Sequence, residues 1–168
     1  KEPDKIREMM IYANKYFPEI SLGDKNQRGK VFISIVAEQM KSYKDIAEKK
    51  GDFIKQIEEV IRKNVSEKVN LILTSGGTGF SKRDVTPEAT KKVIERETPG
   101  ISEYIRARSL EKTDRAILSR AISGIADESL IINLPGSPIA VQESLEFIAD
   151  PLKHGLEILL KRDAECAR

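Results

Sequence analysis

The segment from Val69 to Gly79, Val-Asn-Leu-Ile-Leu-Thr-Ser-Gly-Gly-Thr-Gly, constrains this chain more than any other. Val69 to Thr74 is short, apolar and β-branched, the pattern of a strand covered on both faces within a sheet. It runs directly into glycines at 76, 77 and 79, and helix-starting residues follow at Thr86-Pro87-Glu88. Strand, glycine loop and helix in that order form a ligand-binding arrangement.

Two further runs carry the same buried-strand pattern, Val31 to Val36 upstream and Ser129 to Asn133 downstream. Between and after them the apolar spacing turns helical. Asp52 to Lys63 carries Phe53, Ile54, Ile57, Val60 and Ile61, with Asp52 placed to cap its start. Helical patterns also cover 87–96, 101–108 and 114–122, and two last helices are expected at 138–148 and 151–161. Strands alternating with helices predict an α/β protein, a three-layer α/β/α fold with a mostly parallel sheet. Residues 1–29 separate from this pattern: a short helical stretch (Ile6, Met9, Met10, Tyr12, Ala13) gives way to Pro18 and a polar run from Ser21 to Gly29. We read an appended helix and linker at 1–29 and one domain at 30–168, consistent with a length of 168 residues.

Composition narrows the function classes. Charged residues make up 33% of the chain, yet Lys and Arg are interspersed with Asp and Glu and the net charge is only +2, so no nucleic-acid partner is implied. No apolar run approaches the roughly 18 residues of a membrane span, and the N-terminus lacks signal-peptide organisation. The single Cys166 points to a reducing compartment, with the cytoplasm the simplest placement. One His and one Cys cannot supply a serine triad, a cysteine-histidine site or a zinc cluster. His154, on a helix beside Leu152 and Leu156, reads as a packing or capping residue.

Glycines at 76, 77 and 79 allow a sharp turn in which backbone N–H groups converge on an anion, with phosphate the natural candidate. A plain tight connection explains the same residues. Neither the P-loop nor the G-x-G-x-x-G fingerprint is present. Asp84 is placed either to face the same mouth and hold Mg²⁺ on a polyphosphate or to cap a helix, and Thr86 is a candidate N-cap. Lys82 and Arg83 are candidates to neutralise phosphate. A second loop, Asn133 to Pro138, also leaves a strand and opens a helix, which makes Gly136 and Ser137 candidate donors to a second phosphate.

The run Leu71-Ile72-Leu73-Thr74-Ser75-Gly76-Gly77-Thr78-Gly79-Phe80-Ser81-Lys82-Arg83-Asp84-Val85-Thr86-Pro87-Glu88-Ala89-Thr90 resembles the molybdopterin adenylyltransferase family, which includes the gephyrin G domain. The likeness continues through Pro99-Gly100, Leu118 to Ala121, Ser123-Gly124-Ile125 and Leu130 to Pro138, and extends to His154. It implies a molybdopterin-binding-like fold and transfer of AMP from ATP to molybdopterin, with Mg²⁺ assisting and pyrophosphate leaving. It also implies a homotrimer, with a molybdenum-insertion protein as a further partner. Carried over by motif, Ser75, Gly76, Gly77, Thr78 and Gly79 bind the nucleotide and Asp84 is the catalytic and metal-holding acid. Ser119, Arg120, Pro135, Gly136 and Ser137 fall on the pterin and phosphate side. A non-catalytic module that binds molybdopterin or nucleotide, or an oligomeric scaffold domain, is the alternative.

The N-terminal part departs from the family pattern. Val36-Ala37-Glu38-Gln39 stands where a Val-Ser-Asp-Arg type strand end is usual, and Glu48-Lys49-Lys50-Gly51-Asp52 replaces an Asp-Lys-Ser-Gly-Pro loop. A strand and helix with a Val-Pro-Asp-Asp type loop usually precede the Leu71 strand. Here a single helical pattern fills that interval.

Overall fold

The computed structural model describes residues 53–160, the backbone of residues 50–52 and of Val31–Ile35, and Ile11, Lys15 and Tyr16 near the N-terminus. The other residues of the expected N-terminal helix and linker, Val36 to Lys49 with Glu38 and Glu48, and Cys166 lie outside the described residues.

Five strands form one sheet: β1 (Val31–Ile35), β2 (Leu71–Ser75), β3 (Arg96–Glu97), β4 (Ser123–Ala126) and β5 (Ser129–Leu134). Their spatial order is β1-β2-β5-β4-β3. β1, β2 and β5 run parallel, with Leu71 opposite Val31 on one side and Leu130 on the other. β4 and β3 are antiparallel additions, so the sheet is mixed. Between residues 50 and 160 the helices are α1 (Lys50–Ser66), α2 (Thr86–Lys91), α3 (Pro99–Leu110) and α4 (Pro138–Leu159), with a 3₁₀ turn at Asp114–Leu118.

Alternation along the strands builds the three layers. Leu71, Leu73, Leu130, Ile132 and Leu134 point to one face, where they pack with Ile105 of α3 and Val141, Leu145, Ile148 and Leu152 of α4. Ile72 and Ile131 point to the other, against Ile57 and Ile61 of α1 and Ala89 of α2. The expected α/β/α architecture is therefore present. Strands buried on both faces are why these segments are almost continuously apolar.

Several boundaries differ from expectation. α1 starts at Lys50, so Asp52 lies inside its first turn and not at its cap. The helix stops where Lys68 turns left-handed (φ 56°) and the Val69 N–H donates to Asn64 O at 3.0 Å. The 87–96 helix ends at Lys91: the Val93 and Ile94 N–H groups both donate to Thr90 O in a tight turn, which frees Arg96 and Glu97 to pair with β4. The 114–122 helix is a 3₁₀ turn that becomes extended at Ser119 (ψ 123°), because the Arg120 N–H is drawn to Thr78 O at 2.8 Å. The two last helices are one, with Pro151 inside.

Candidate functional site

Parallel pairing of β2 with β5 ends Ser75 beside Leu134, so the loops that leave these strands emerge together at the C-terminal edge of the sheet. They are stitched to each other. The Gly76 N–H donates to Leu134 O at 3.1 Å, and the Ser75 hydroxyl donates to Pro135 O at 2.8 Å. A Cβ on Gly136 would lie 3.3 Å from the Gly76 Cα, so small residues on both loops permit the approach.

The first loop turns its carbonyls into the protein. Gly76 and Gly77 have φ of 87° and 67°, left-handed values that favour glycine. Gly76 O accepts from the Thr86 hydroxyl at 2.9 Å and Gly77 O from the Thr86 N–H at 3.1 Å. Thr78 O and Gly79 O accept from the backbone N–H and the Nε of Arg120, each at 2.8 Å. With four successive carbonyls engaged, the N–H groups of Gly77, Thr78 and Gly79 find no acceptor among the described residues. Buried N–H groups are rarely left unpaired, and a row of free amides is a donor set that suits an anion.

Thr86 is therefore not an N-cap: Val85 occupies that position and makes no side-chain capping bond. Asp84 caps the turn in front of the helix. Its N–H donates to Ser81 O at 2.9 Å while its Oδ2 accepts from the Ser81 N–H at 2.8 Å. The same oxygen would lie 3.0 Å from a Cβ on residue 79, so glycine there lets the carboxylate sit against the loop. Mg²⁺ is typically held by one or two carboxylates plus substrate phosphates and water. A half-buried carboxylate beside free amides fits that donor set, and no group of three or more His, Cys, Asp or Glu forms a metal cage among the described residues.

The loops border a cleft of about 270 Å³ lined by Thr78, Gly79, Ser119, Pro135 and Gly136, with Arg106, Arg115 and Ser109 from α3 and the 3₁₀ segment. Of the residues expected on the nucleotide and pterin sides it brings together Thr78, Gly79, Ser119, Pro135 and Gly136, whereas Ser75, Gly76, Gly77, Asp84, Arg120 and Ser137 do not line it. Ser137 is exposed at the N-cap of α4 and makes no capping bond, so the start of a 22-residue helix adds further unpaired N–H groups at this mouth. Lys82 and Arg83 are exposed on the outer turn of the first loop. His154 is exposed on α4, with Nδ1 3.8 Å from Glu157 Oε2, so it is not packed into the core. A larger cleft of about 490 Å³ lies at the other end of β5, beside Leu130, Ile101 and Leu152. It is lined without a charged side chain and is no match for a phosphate.

Behind the loops sits a buried network not anticipated from the sequence. Fully buried Asn133 donates through Nδ2 to the hydroxyls of Thr74 and Thr90, both at 2.9 Å, while its Oδ1 accepts from the Ile122 N–H at 3.3 Å. One side chain thus ties β2, β5, α2 and the strand entering β4. An Asn inside an otherwise apolar strand is the signal that marked it.

The family model described as a probable molybdopterin binding domain matches residues 19–154, and the chain belongs to that family. It is 50% identical over 95 residues to a molybdopterin adenylyltransferase of Haemophilus influenzae, covering 56% of this chain and 48% of that one. It is 39% identical over 137 residues to the molybdenum cofactor synthesis protein cinnamon of Drosophila melanogaster, covering 81% of this chain and 23% of that one. The chain thus spans about half or less of the length of these relatives. Among solved structures, the molybdopterin biosynthesis Mog protein of Mycobacterium ulcerans superposes with a TM-score of 0.66 at 31% identity, covering 78% of this chain and 99% of that chain.

Proposed function

We propose that this chain is a molybdopterin adenylyltransferase acting in molybdenum cofactor biosynthesis. The carrying observation is the row of unpaired N–H groups from Gly77 to Gly79 beside the Asp84 carboxylate, on a loop whose Thr78 and Gly79 share a cleft with Pro135 and Gly136 of the second loop. Relatives named for this activity are 50% and 46% identical to the chain over 95 and 91 residues.

In this reading ATP lies with its phosphates on the Ser75 to Gly79 loop. Molybdopterin lies on the side of Ser119, Pro135, Gly136 and Ser137, its terminal phosphate directed at the α-phosphorus. A phosphate oxygen of molybdopterin attacks that phosphorus, the bond to the β-phosphate oxygen breaks, and pyrophosphate departs. Such a transfer needs little covalent chemistry from the protein. It needs two anions held in line and charge stabilised as the bond breaks. The loop amides supply fixed dipoles at no cost of reorientation, and the N-terminus of α4 offsets the second anion. Asp84 would hold Mg²⁺, which supplies charge neutralisation on the polyphosphate. Arg106 and Arg115 add positive charge to the cleft wall. A cytoplasmic homotrimer passing its product to a molybdenum-insertion protein is the setting that the family resemblance implies. No helix among the described residues is long and apolar enough to cross a membrane.

Incubation with molybdopterin, ATP and Mg²⁺ should yield adenylylated molybdopterin and one pyrophosphate per product. Asp84→Asn should lower kcat by roughly a hundredfold or more while changing ATP affinity far less, since the group acts on developing charge. Tight molybdopterin binding with no pyrophosphate at any Mg²⁺ concentration would instead identify a binding module.

A further inference from the structure

We infer that Arg120 is a positioning residue: it holds the first loop in its anion-binding conformation and sets Asp84 relative to the free amides. The inference rests on the functional reading above only for what the loop binds. An arginine beside a phosphate cleft would ordinarily be assigned to the phosphate, but this guanidinium is already committed to the protein. Nε donates to Gly79 O at 2.8 Å, Nη2 donates to Asp84 O, and Nη1 donates to the Glu88 carboxylate in the first turn of α2. Its own N–H adds the bond to Thr78 O at 2.8 Å. The fork therefore spans the turn from Gly79 to Asp84 and pins both ends of it.

The planar geometry is what the task requires. Two carbonyls and a carboxylate are met by donors in fixed relative directions, which a lysine ammonium on a flexible stem does not reproduce. Pulling Thr78 O and Gly79 O inward keeps the corresponding peptide N–H groups turned outward. Holding Asp84 O fixes the backbone that carries the carboxylate. The support is itself supported: Arg106 of α3 donates through Nη1 to Ala121 O at 2.8 Å, which anchors the extended segment on which Arg120 rides. Glu88 and Arg120 are each only partly exposed, with side chains 43% and 34% accessible.

The test compares the unliganded wild-type protein with Arg120→Lys, Glu88→Gln and the double variant. Amide hydrogen exchange at Ser81, whose N–H donates to Asp84 Oδ2, reports the loop directly. Arg120→Lys should accelerate it by about tenfold or more, the scale of losing charge-assisted hydrogen bonds, while exchange at Ile131 and Ile132 in the core is unchanged. Glu88→Gln should act in the same direction, and the double variant should be no worse than Arg120→Lys alone. With Mg²⁺ and ATP as the probe, Arg120→Lys should weaken binding, and in the adenylylation assay kcat should stay depressed at saturating ATP because Asp84 is displaced as well. Unchanged exchange at Ser81 in the variants overturns the inference. So does a rise in KM alone with kcat intact, which would make Arg120 a direct phosphate contact. If Arg120→Lys fails to fold, Glu88→Gln decides by the same exchange measurement. A wild-type protein that makes no product would defeat the functional reading and leave the exchange result to decide the positioning role.

Discussion

At the scale of single residues, the site depends on atoms that are absent as much as on those present. A Cβ on Gly77 would lie 2.3 Å from the Thr86 hydroxyl oxygen, at a φ of 67° that side-chain-bearing residues rarely adopt. Gly77→Ala should therefore cost about 1–3 kcal/mol in a denaturant titration and abolish the bond from Thr86 to Gly76 O, with ATP affinity falling alongside. Wild-type stability in this variant would show that the loop is looser than described. The glycines, Asp84 and the second loop were legible from sequence because a contiguous motif encodes them. Arg120 was legible as a family position but not as a clamp, since its acceptors at Gly79 and Asp84 lie 41 and 36 residues away. Thr86 misled for a related reason: its hydroxyl serves the preceding loop, which no helix-capping pattern reveals.

At the scale of elements, β2 and β5 were read correctly because burial on both faces forces continuous apolar sequence. β3 and β4 were not. β3 is two residues long, and β4 is Ser-Gly-Ile-Ala, weak in strand-forming residues, so both exist through pairing with β5 and with each other. The 3₁₀ segment after α3 likewise takes its end point from a tertiary bond to Thr78 O. α1 illustrates a local signal instead: the chain leaves it through Lys68 in a left-handed conformation, φ 56°, which a Cβ disfavours. Lys68→Gly should raise stability by roughly 1 kcal/mol, read as an upward shift in Tm. A fall in Tm would mean that the Lys68 side chain contributes more than the turn costs.

At the scale of the whole molecule, the order β1-β2-β5-β4-β3 sets the two glycine-bearing loops side by side although 60 residues separate Ser75 from Pro135. Tyr16 packs against the α3 and α4 core and donates its hydroxyl to Glu146 on α4. That bond, and then the one from Gln142, holds the Glu146 carboxyl below the usual range, while the same contact pushes the Tyr16 hydroxyl up. The folded state thus gives up the Glu146 proton more readily than the unfolded chain. Its stabilisation is complete above the ordinary glutamate pKa and is lost as pH falls through the depressed value. Tyr16→Phe should make the acid-side loss of stability shallower, as measured by denaturant midpoints across that range. An unchanged slope would show that the contact does not form in solution.

The central claim is that nucleotide phosphates sit on the β2 loop and face the β5 loop across one cleft. Residue-resolved amide hydrogen exchange, with and without ATP and Mg²⁺, tests it most directly. We predict strong new protection at Gly77, Thr78 and Gly79, with weaker protection at Gly136 and Ser137. Protection confined to the apolar cleft at the opposite end of β5, or none at the glycine loop under saturating nucleotide, would contradict the claim.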